Sequence, residues 1–501
     1  MTLGIMAAEM AVPHVSSMTL FIVCCAALSC MAWQLTHTRV ASSSKSGSYT
    51  FGLSAMLLSF AIGMFLYVAR FERMESSVHG DEETYVGTLR GVPVEKRRSW
   101  MLRLADASRY DVVLYVVKDS ACIDAQRCLM LSLQEGDTVV AHGRHVRSVA
   151  RADTVSVAYA RWLLHSGVCA TSYVRPHELQ VSRCGNSVTW HNVNARMIQR
   201  RLHGLYEEHD IDGEAGDIIE AMSIGWKSGI QEKVRRSFSR AGASHMLALS
   251  GFHVGVVVLA LQCMLMFRLM RRRAGKVVNL LIVALLWMFV TVAGASPSLV
   301  RAGCMFTLMA VCAFFDRSCK PFNVCVLTYV LMLCANPMTL FEIGFQLSFL
   351  AVAGICVYGE MTRGWLSPLP RWLRALVDVV TVSVVCTLAT APLVAHCFGS
   401  VSLVSLASNL VAPLFLYVIV AGSFVWWATL CWPPLNDAVT SMLMGAASAL
   451  NAIMDYLASL PFAAIEWRPG VAVTVGCYVV LAALVYVACS VLEGVRQASK
   501  T

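Results

Sequence analysis

The feature that most constrains this chain is a series of long apolar segments. Residues Val277 to Ala293 are almost without polar side chains, and several other stretches are nearly as apolar. A bilayer core about 30 Å thick is crossed by roughly 20 apolar residues in helical conformation. Because 57% of the 501 residues are hydrophobic and 14% are charged, a soluble enzyme is excluded. The sequence therefore predicts a polytopic α-helical membrane protein.

The predicted spans lie at both ends of the chain. Leu3–Val12 is too short to cross a bilayer, so the first spans are Met18–Trp33 and Tyr49–Val68. From Ser244 onward, spans are expected near 244–267, 277–293, 298–315, 321–335, 340–358, 375–395, 403–430 and 471–491. The stretch Leu435–Leu460 fits either a span or an interfacial helix.

The basic residues predict the orientation of the spans. Much of the net charge of +9 lies in short loops beside apolar segments, where lysine and arginine mark the cytoplasmic side. The loop carrying Arg39 and Lys45 is therefore predicted to be inside, as is the cluster from Arg268 to Lys276. The segment after Val68 should then lie outside the cytoplasm.

That outer segment has the pattern of a β-rich domain. Alternating runs predict strands at Thr84–Leu89, Asp111–Val117 and Asp137–Ala141. About five such strands suit a small β-barrel, of which the OB-fold is one form. We therefore divide the chain into N-terminal transmembrane helices (1–70), an OB-like extracytoplasmic domain (71–193), an amphipathic helical linker (194–240) and a transmembrane domain (241–501).

The cysteines predict no metal site. Of the 19 cysteines, 15 lie in or beside apolar segments, where cysteine behaves as a small hydrophobic residue. Cys122, Cys128, Cys169 and Cys184 lie in the β-rich segment. If this segment is exported, one or two disulfides are expected there, with three possible connectivities. No cofactor is predicted.

The segment from Ser244 to Gly255 carries the polar residues that an apolar span should not contain. His245, Ser250, Gly251 and His253 interrupt it. On an unbroken helix the two histidines would be separated by about 80° and roughly 12 Å along the axis. A break at Ser250-Gly251 would favour a substrate path through the membrane, lined by these residues. The alternative is close helix packing, with the histidines bonded to neighbouring helices.

Four segments, in order, resemble the ComEC competence family. Their positions are Ala221–Gly255, Ala295–Ala302, Asn336–Phe349 and Ala391–Pro413. Two spans followed by a β-rich domain match that family's N-terminal plan, so the resemblance covers nearly the whole chain. Phe252 and Glu342 depart from it, since the family more often has Leu and Asp there.

The resemblance implies an inner-membrane channel that carries single-stranded DNA into the cell during natural transformation, and not an enzyme. It also implies membrane lipid, a periplasmic DNA receptor and a cytoplasmic helicase-like ATPase as partners. The chain contains no nucleotide-binding loop of its own. Many relatives end in a metallo-β-lactamase-like domain. No His-x-His-x-Asp-His cluster occurs in this sequence, so a separate nuclease is expected.

Further polar residues in the spans are assigned either to the channel or to local structure. Arg301 and Gln346 are predicted to line the path of the polyanion, although Arg301 could instead extend to the membrane surface. Asn409 and Pro413 are predicted to kink a helix beside the path. Thr339 and Glu342 read as a capping box, which is a structural role.

The β-rich domain offers a second set of DNA-binding candidates. OB-folds bind single strands through a basic groove and stacking aromatic residues. Two basic clusters fit that description, each with a solvated loop as its alternative. One is Lys96, Arg97 and Arg98 beside Trp100, and the other includes Arg144 and Arg147. The net charge of the whole domain is small, because residues 71–193 carry 15 Lys and Arg against 14 Asp and Glu.

Two other functions remain open from the residues alone. A secondary transporter or exporter of a small anionic solute would also have broken helices, but it predicts internal repeats, and none is evident. An intramembrane hydrolase could use Ser250 and a histidine. However, Ala248 and Phe252 occupy the glycine positions of the G-x-S-x-G elbow.

Overall fold

The computed structural model describes most of the chain. The described residues are 1–11, 16–21, 23–24, 45–76, 84–91, 93–105, 110–118, 123–133, 137–142, 147–148, 157–182, 190–268, 275–362 and 370–498. They form two compact units, Met1–Val193 with Leu331–Glu342, and Asn194–Val330 with Ile343–Thr501. The predicted span Met18–Trp33 lies mostly outside the described residues, as does the loop carrying Arg39.

The first unit combines helices with a sheet. Its helices are α1 (Thr2–Ala11), α2 (Lys45–Ser76), α3 (Ile123–Ser132) and α4 (Val157–His165). Its strands are β1 (Thr84–Leu89), β2 (Val94–Glu95), β3 (Ser99–Ala105), β4 (Asp111–Val117), β5 (Thr138–His142), β6 (Arg147–Ser148), β7 (Val168–Val174) and β8 (Leu179–Ser182). A 3₁₀ turn at Pro337–Phe341 also belongs to this unit.

The strands form one mixed sheet of eight strands in the order β6-β7-β4-β3-β1-β5-β8, with β2 paired to β3. All described pairs are antiparallel except β4 with β7, which is parallel. Two of the three strands named from the sequence match β1 and β4, and the third is shifted by one residue to Thr138–His142. The expected number of about five strands was too low, and helices α3 and α4 were not predicted.

Side-chain alternation explains how the sheet buries its core. Along β3, Trp100, Leu102 and Leu104 are buried, while the residues between them are half-exposed. Strand β4 is buried from Asp111 to Val116, as a strand with two paired neighbours requires.

The amino-terminal segment is a short helix that packs closely on α2. A methyl group added at Gly4 would lie 2.0 Å from the Phe60 carbonyl oxygen, and one added at Gly63 would lie 2.2 Å from the Met1 carbonyl oxygen. Small residues at such positions let two helix backbones approach each other.

The second unit is helical. Its helices are α5 (Trp190–Glu208, which begins in the first unit), α6 (Gly213–Ser223), α7 (Glu232–Arg240), α8 (Ser244–Leu247), α9 (Gly251–Arg268), α10 (Gly275–Val292), α11 (Pro297–Phe314), α12 (Pro321–Ala335, which ends in the first unit), α13 (Ile343–Thr362), α14 (Arg371–Phe398), α15 (Ser405–Thr429), α16 (Pro433–Ser459) and α17 (Val471–Ala498). Strands β9 (Ser400–Ser402) and β10 (Ala464–Glu466) pair between helices. The predicted apolar segments therefore form helices close to their predicted bounds.

The core of this unit joins the amphipathic helices to the apolar ones. Tyr206 of α5 stacks on Trp426 of α15, with ring centroids 4.8 Å apart, and both side chains are fully buried. Gly242 has a φ of +78°, and a methyl group there would lie 2.6 Å from the Cβ of Ser405. Glycine is thus required where the chain enters the histidine-containing segment.

Five helical stretches of the described residues are long and apolar enough to cross a membrane. They are Ser54–Ser76, Pro297–Phe314, Leu373–Phe398, Ser405–Thr429 and Val471–Val491. Two of them are Leu373–Phe398 and Val471–Val491. In each, 6% of the most apolar 18-residue stretch is buried within the protein. Val471–Val491 therefore presents apolar side chains outward over most of its length, whereas most side chains of Leu373–Phe398 are half-buried.

The disulfide observed in the described residues was not predicted. It joins Cys312 and Cys319, at the end of α11. Cys128 is free, so the expected disulfides do not involve it, and the Cys169 thiol donates to the Asp111 carbonyl oxygen at 3.5 Å. Cys122 and Cys184 lie outside the described residues.

Candidate functional site

The histidine-containing segment is not one continuous helix. Helix α8 ends at Leu247, and Ala248 has extended backbone angles of φ −95° and ψ 120°. Helix α9 begins three residues later, at Gly251. His245 and His253 therefore lie on two different helices. The separation of about 80° and 12 Å, calculated for one unbroken helix, does not apply to them.

His253 closes the amino end of α9. Its Nδ1 lies 3.1 Å from the backbone nitrogen and 3.0 Å from the hydroxyl of Ser250. The third residue of a helix can bond back to the amide that precedes the helix, as in one half of a capping box. Since a backbone N–H can only donate, Nδ1 is the accepting nitrogen, and the neutral ring carries its proton on Nε2.

The Nε2 of His253 has no partner among the described residues. The side chain is 0% exposed, and Nε2 is buried without a hydrogen bond. A buried donor without an acceptor costs about 1–3 kcal/mol. The ring therefore offers an unused N–H inside the protein.

Arg301 lies against the same helix end. A methyl group added at Gly251 would be 3.3 Å from its Nη2, so glycine allows the guanidinium to approach the start of α9. The residue is 5% exposed, and Nη2 lies 3.5 Å from the Ser298 hydroxyl. Its Nε and Nη1 are buried without a partner in the described chain. Its Cζ lies 5.5 Å from the centre of the Phe349 ring on α13, a cation–π distance.

His253 and Arg301 lie inside the protein in this structure, at 0% and 5% exposure. Arg301 also does not extend to a surface. By contrast, His245 is exposed and Ser250 is half-buried. The site is thus a buried pair of donor side chains behind a more accessible helix break.

The turn after α6 covers the break. A methyl group at Gly225 would lie 2.7 Å from the Leu249 side chain and 2.9 Å from the Ala293 carbonyl oxygen. Lys227 of this turn and His245 are both close enough to His253 to act on it electrostatically. Three cationic or basic groups therefore surround the start of α9: Lys227, His245 and Arg301.

The remaining predicted channel residues lie on two other helices. Gln346 is half-buried on α13. Asn409 and Pro413 lie on α15, which packs against α9. The Asn409 Oδ1 is buried, and no described residue gives it a hydrogen bond. A kink or a discontinuous helix was expected at Pro413; helix α15 continues through this residue, so it is not discontinuous there, and the kink stays a prediction.

The predicted capping box at Thr339 and Glu342 is wrong. The 3₁₀ turn begins earlier, at Pro337, where the Asn336 side chain accepts a hydrogen bond of 3.2 Å from the Met338 backbone. Thr339 lies inside the turn and donates to the Asn336 carbonyl oxygen at 2.7 Å. Glu342 is the residue that ends the turn.

Trp100 is not available to stack on a base, because it is 3% exposed. Arg97 and Arg98 are exposed beside it. Lys96 instead lies over the Tyr115 and Tyr159 rings, at 5.2 Å and 5.5 Å. Arg144 lies outside the described residues, and for Arg147 the backbone in β6 is described.

An aromatic cluster beside Lys96 was missed by the sequence analysis. Tyr173 stacks on Tyr115 at 5.0 Å, and Tyr159 stacks on Trp162 at 5.6 Å. The hydroxyls of Tyr115 and Tyr159 bond to each other. Tyr173 is 63% exposed and Trp162 is 55% exposed. The strand alternation of Tyr115 and Tyr173 was visible in the sequence, but their pairing required the parallel register of β4 and β7.

A buried carboxylate in the second unit was also missed. Glu220 is 4% exposed, and both its oxygens lie within 2.9 Å of the His203 Nδ1. Burial raises the pKa of Glu220, and His203 opposes this shift. The His203 ring stacks on Trp226 at 4.6 Å, next to the turn that covers the helix break. No group of three metal-ligating side chains occurs among the described residues.

Comparison with known proteins shows the family of the chain. A family model described as "Competence protein" matches residues 222–490, which include α9, α11, α13 and α15. ComE operon protein 3 of Bacillus subtilis (strain 168) is 26% identical over 235 residues. That match covers 46% of this chain and 29% of the relative. No solved structure matches the chain. Because the family model covers more than half of the sequence, the chain belongs to the ComEC competence protein family.

Proposed function

We propose that this protein is the inner-membrane channel through which single-stranded DNA enters the cell during natural transformation. The observation that carries the proposal is the pair of buried side chains at the helix break. The Nε2–H of His253 and the Nε and Nη1 of Arg301 can only donate, and none has a partner among the described residues. Donor-only sites select anions, and the phosphodiester is the anion that every nucleotide presents.

Membrane placement is supported by the outward-facing apolar helices. Helices such as Val471–Val491, with 6% of the apolar window buried, would be unstable in water. A backbone that leaves helical conformation at membrane depth needs protein or water around it. The break at Ala248–Ser250 meets that need, since Gly225 and Ala293 cover it.

The buried state of the donors defines how the channel would work. In this structure the donors are closed off, and their lost hydrogen bonds destabilise the closed arrangement. A passing phosphate would supply the missing acceptor, so the open arrangement is favoured when DNA is present. Translocation still requires a helicase-like ATPase, and the incoming strand requires a periplasmic receptor and a separate nuclease.

The sheet of the first unit supports an OB-like domain that meets DNA outside the membrane. Strand β1 pairs with β3 and β5, and β7 pairs with β4 and β6. The exposed Tyr173 would supply stacking for a single strand, and the half-buried Lys96 would supply charge.

Deletion of the gene combined with radiolabelled DNA tests the proposal. A channel predicts that DNA still binds to the cell surface while internalised label disappears. If the deletion strain internalises DNA normally, the proposal is wrong. If import persists and the efflux or uptake of a small anion is lost instead, the alternative of an anion transporter is correct.

A further inference from the structure

The first unit contains a polar pocket of about 180 Å³ that the proposed DNA path does not use. It is lined by side chains from helix α2, from the sheet and from the 3₁₀ turn. The lining residues that carry charge are Arg70, Arg90, Arg103, Asp111, His165 and Glu342. All of them belong to the same compact unit.

One carboxylate organises two of the arginines. Asp111 is 2% exposed and accepts from the Arg90 Nη1 at 2.9 Å and from the Arg103 Nε. Arg103 also donates to the Ser166 carbonyl oxygen. The charge of Asp111 is therefore used to hold these two guanidinium groups at the pocket wall.

Arg70 is the third arginine of the pocket, and Asp111 does not hold it. Its Cζ lies 4.8 Å from the centre of the Tyr110 ring, which fixes the guanidinium by a cation–π contact. Its Nε is buried without a hydrogen-bond partner in the described part of the chain. His165 lies 3.2 Å from the carboxylate of Glu9, so that pair adds no net positive charge. The three arginines against the two carboxylates of Asp111 and Glu342 then leave one net positive charge, which matches one phosphodiester.

The position of the pocket along the chain indicates the source of that phosphate. Arg70 lies near the carboxyl end of the apolar stretch Ser54–Ser76. The turn that contributes Glu342 connects two apolar helices, α12 and α13. If these helices span the bilayer, the ends of the helices and the turn lie at the depth of the lipid headgroups.

Aromatic rings beside the pocket support its placement at the depth of the lipid headgroups. Phe341 stacks on His165 with centroids 4.0 Å apart and packs edge-on against Tyr67 at 6.0 Å. Tyrosine and other amphipathic rings are enriched at the membrane–water boundary.

We propose that this pocket binds the phosphate of one anionic phospholipid headgroup, with Arg70 as its main ligand. A single recessed pocket with one net charge suits one phosphate better than a moving polyanion, which needs a continuous basic groove. The proposal rests on membrane placement of the apolar helices and is independent of DNA transport.

Thermal unfolding of the full-length, delipidated protein in detergent tests this assignment. Phosphatidylglycerol should raise the midpoint of the wild-type protein and of Arg73→Gln, whose side chain is exposed one turn further along α2. Arg70→Gln should need at least about tenfold more lipid for the same shift, and Arg70→Lys should lie between them. Native mass spectrometry should show a retained phosphatidylglycerol on the wild type and less on Arg70→Gln.

The probes distinguish the sources of phosphate. Diacylglycerol lacks the phosphate and should give no shift that depends on Arg70. The proposal is overturned if Arg70→Gln responds like the wild type, or if diacylglycerol matches phosphatidylglycerol. It is also overturned if inorganic phosphate or a short single-stranded oligonucleotide gives the Arg70-dependent shift while the lipid does not.

Discussion

The backbone amide of Ser250 donates to the Nδ1 of His253 across 3.1 Å, and this bond determines what the imidazole can do. It holds the ring as an acceptor on one side and leaves an N–H on the other. The same residue therefore stabilises the start of α9 and supplies a buried donor to the site.

Removing this acceptor should weaken the helix start. We expect His253→Ala to lower the free energy of unfolding by about 1 kcal/mol, as loss of an amino-terminal cap does. Thermal unfolding in detergent measures the change. His177→Ala is the control, because that side chain is 71% exposed. Equal effects of the two substitutions would show that the bond to Ser250 contributes nothing.

Gly251 should be needed for the position of Arg301. A methyl group there would lie 3.3 Å from Nη2, so Gly251→Ala should displace the guanidinium and reduce DNA import severalfold. Gly255→Ala lies one turn away on the same helix, where an added methyl group meets nothing within 4 Å. Transformation frequency at equal protein level compares the two. Equal losses would assign the effect to helix conformation and not to Arg301.

Stability should depend on pH through Glu342. Burial raises the pKa of this carboxyl group above its usual 4.5, so the folded state holds the proton more tightly than the unfolded state. Wild-type stability should therefore fall relative to Glu342→Gln as the pH rises from 4.5 through the raised pKa, and then level off.

The difference between the midpoints of wild type and Glu342→Gln, measured from pH 4 to pH 8, reports this dependence. Glu466→Gln replaces an exposed carboxylate and serves as the control. A difference that stays constant over the whole range would show that Glu342 is ionised equally in both states.

The exposed face of Tyr173 should bind bases. Stacking on an aromatic side chain contributes about 1–3 kcal/mol per base, so Tyr173→Ala should weaken the binding of a single-stranded oligonucleotide about tenfold or more. Tyr173→Phe should retain it, since the ring remains. Fluorescence anisotropy with the full-length protein measures both, and Tyr456→Ala, at 66% exposure, is the control. Unchanged affinity in Tyr173→Ala would remove this surface from the DNA path.

The apolar helices and the helix break could be predicted from the sequence because each depends on local composition. Val277–Ala293 cannot be solvated, and Ser250-Gly251 is a poor helix interior, so neighbouring residues decide both outcomes. The strands at Thr84 and Asp111 were predictable for the same reason, through their period of two.

The predictions from the sequence were wrong where two local signals compete, or where the outcome depends on contacts between distant segments. Asn336 and Pro337 start their turn before Thr339 can act as a cap, since asparagine followed by proline is the stronger initiator. Trp100 was assigned to DNA by its basic neighbours, although the alternation with Leu102 and Leu104 directs it into the core. The burial of Arg301 depends on α9 and α13, which no local pattern reveals.

The rate of DNA import in Arg301→Gln cells tests the central claim most directly. If Arg301 gives a hydrogen bond to passing phosphates, Arg301→Gln should import labelled DNA at least about tenfold more slowly at equal protein level, since a charge-assisted bond contributes about 1.5–3 kcal/mol. Arg301→Lys should recover part of the rate. Arg317→Gln, just beyond the end of the same helix, should import normally. Import by Arg301→Gln at the wild-type rate would contradict the account.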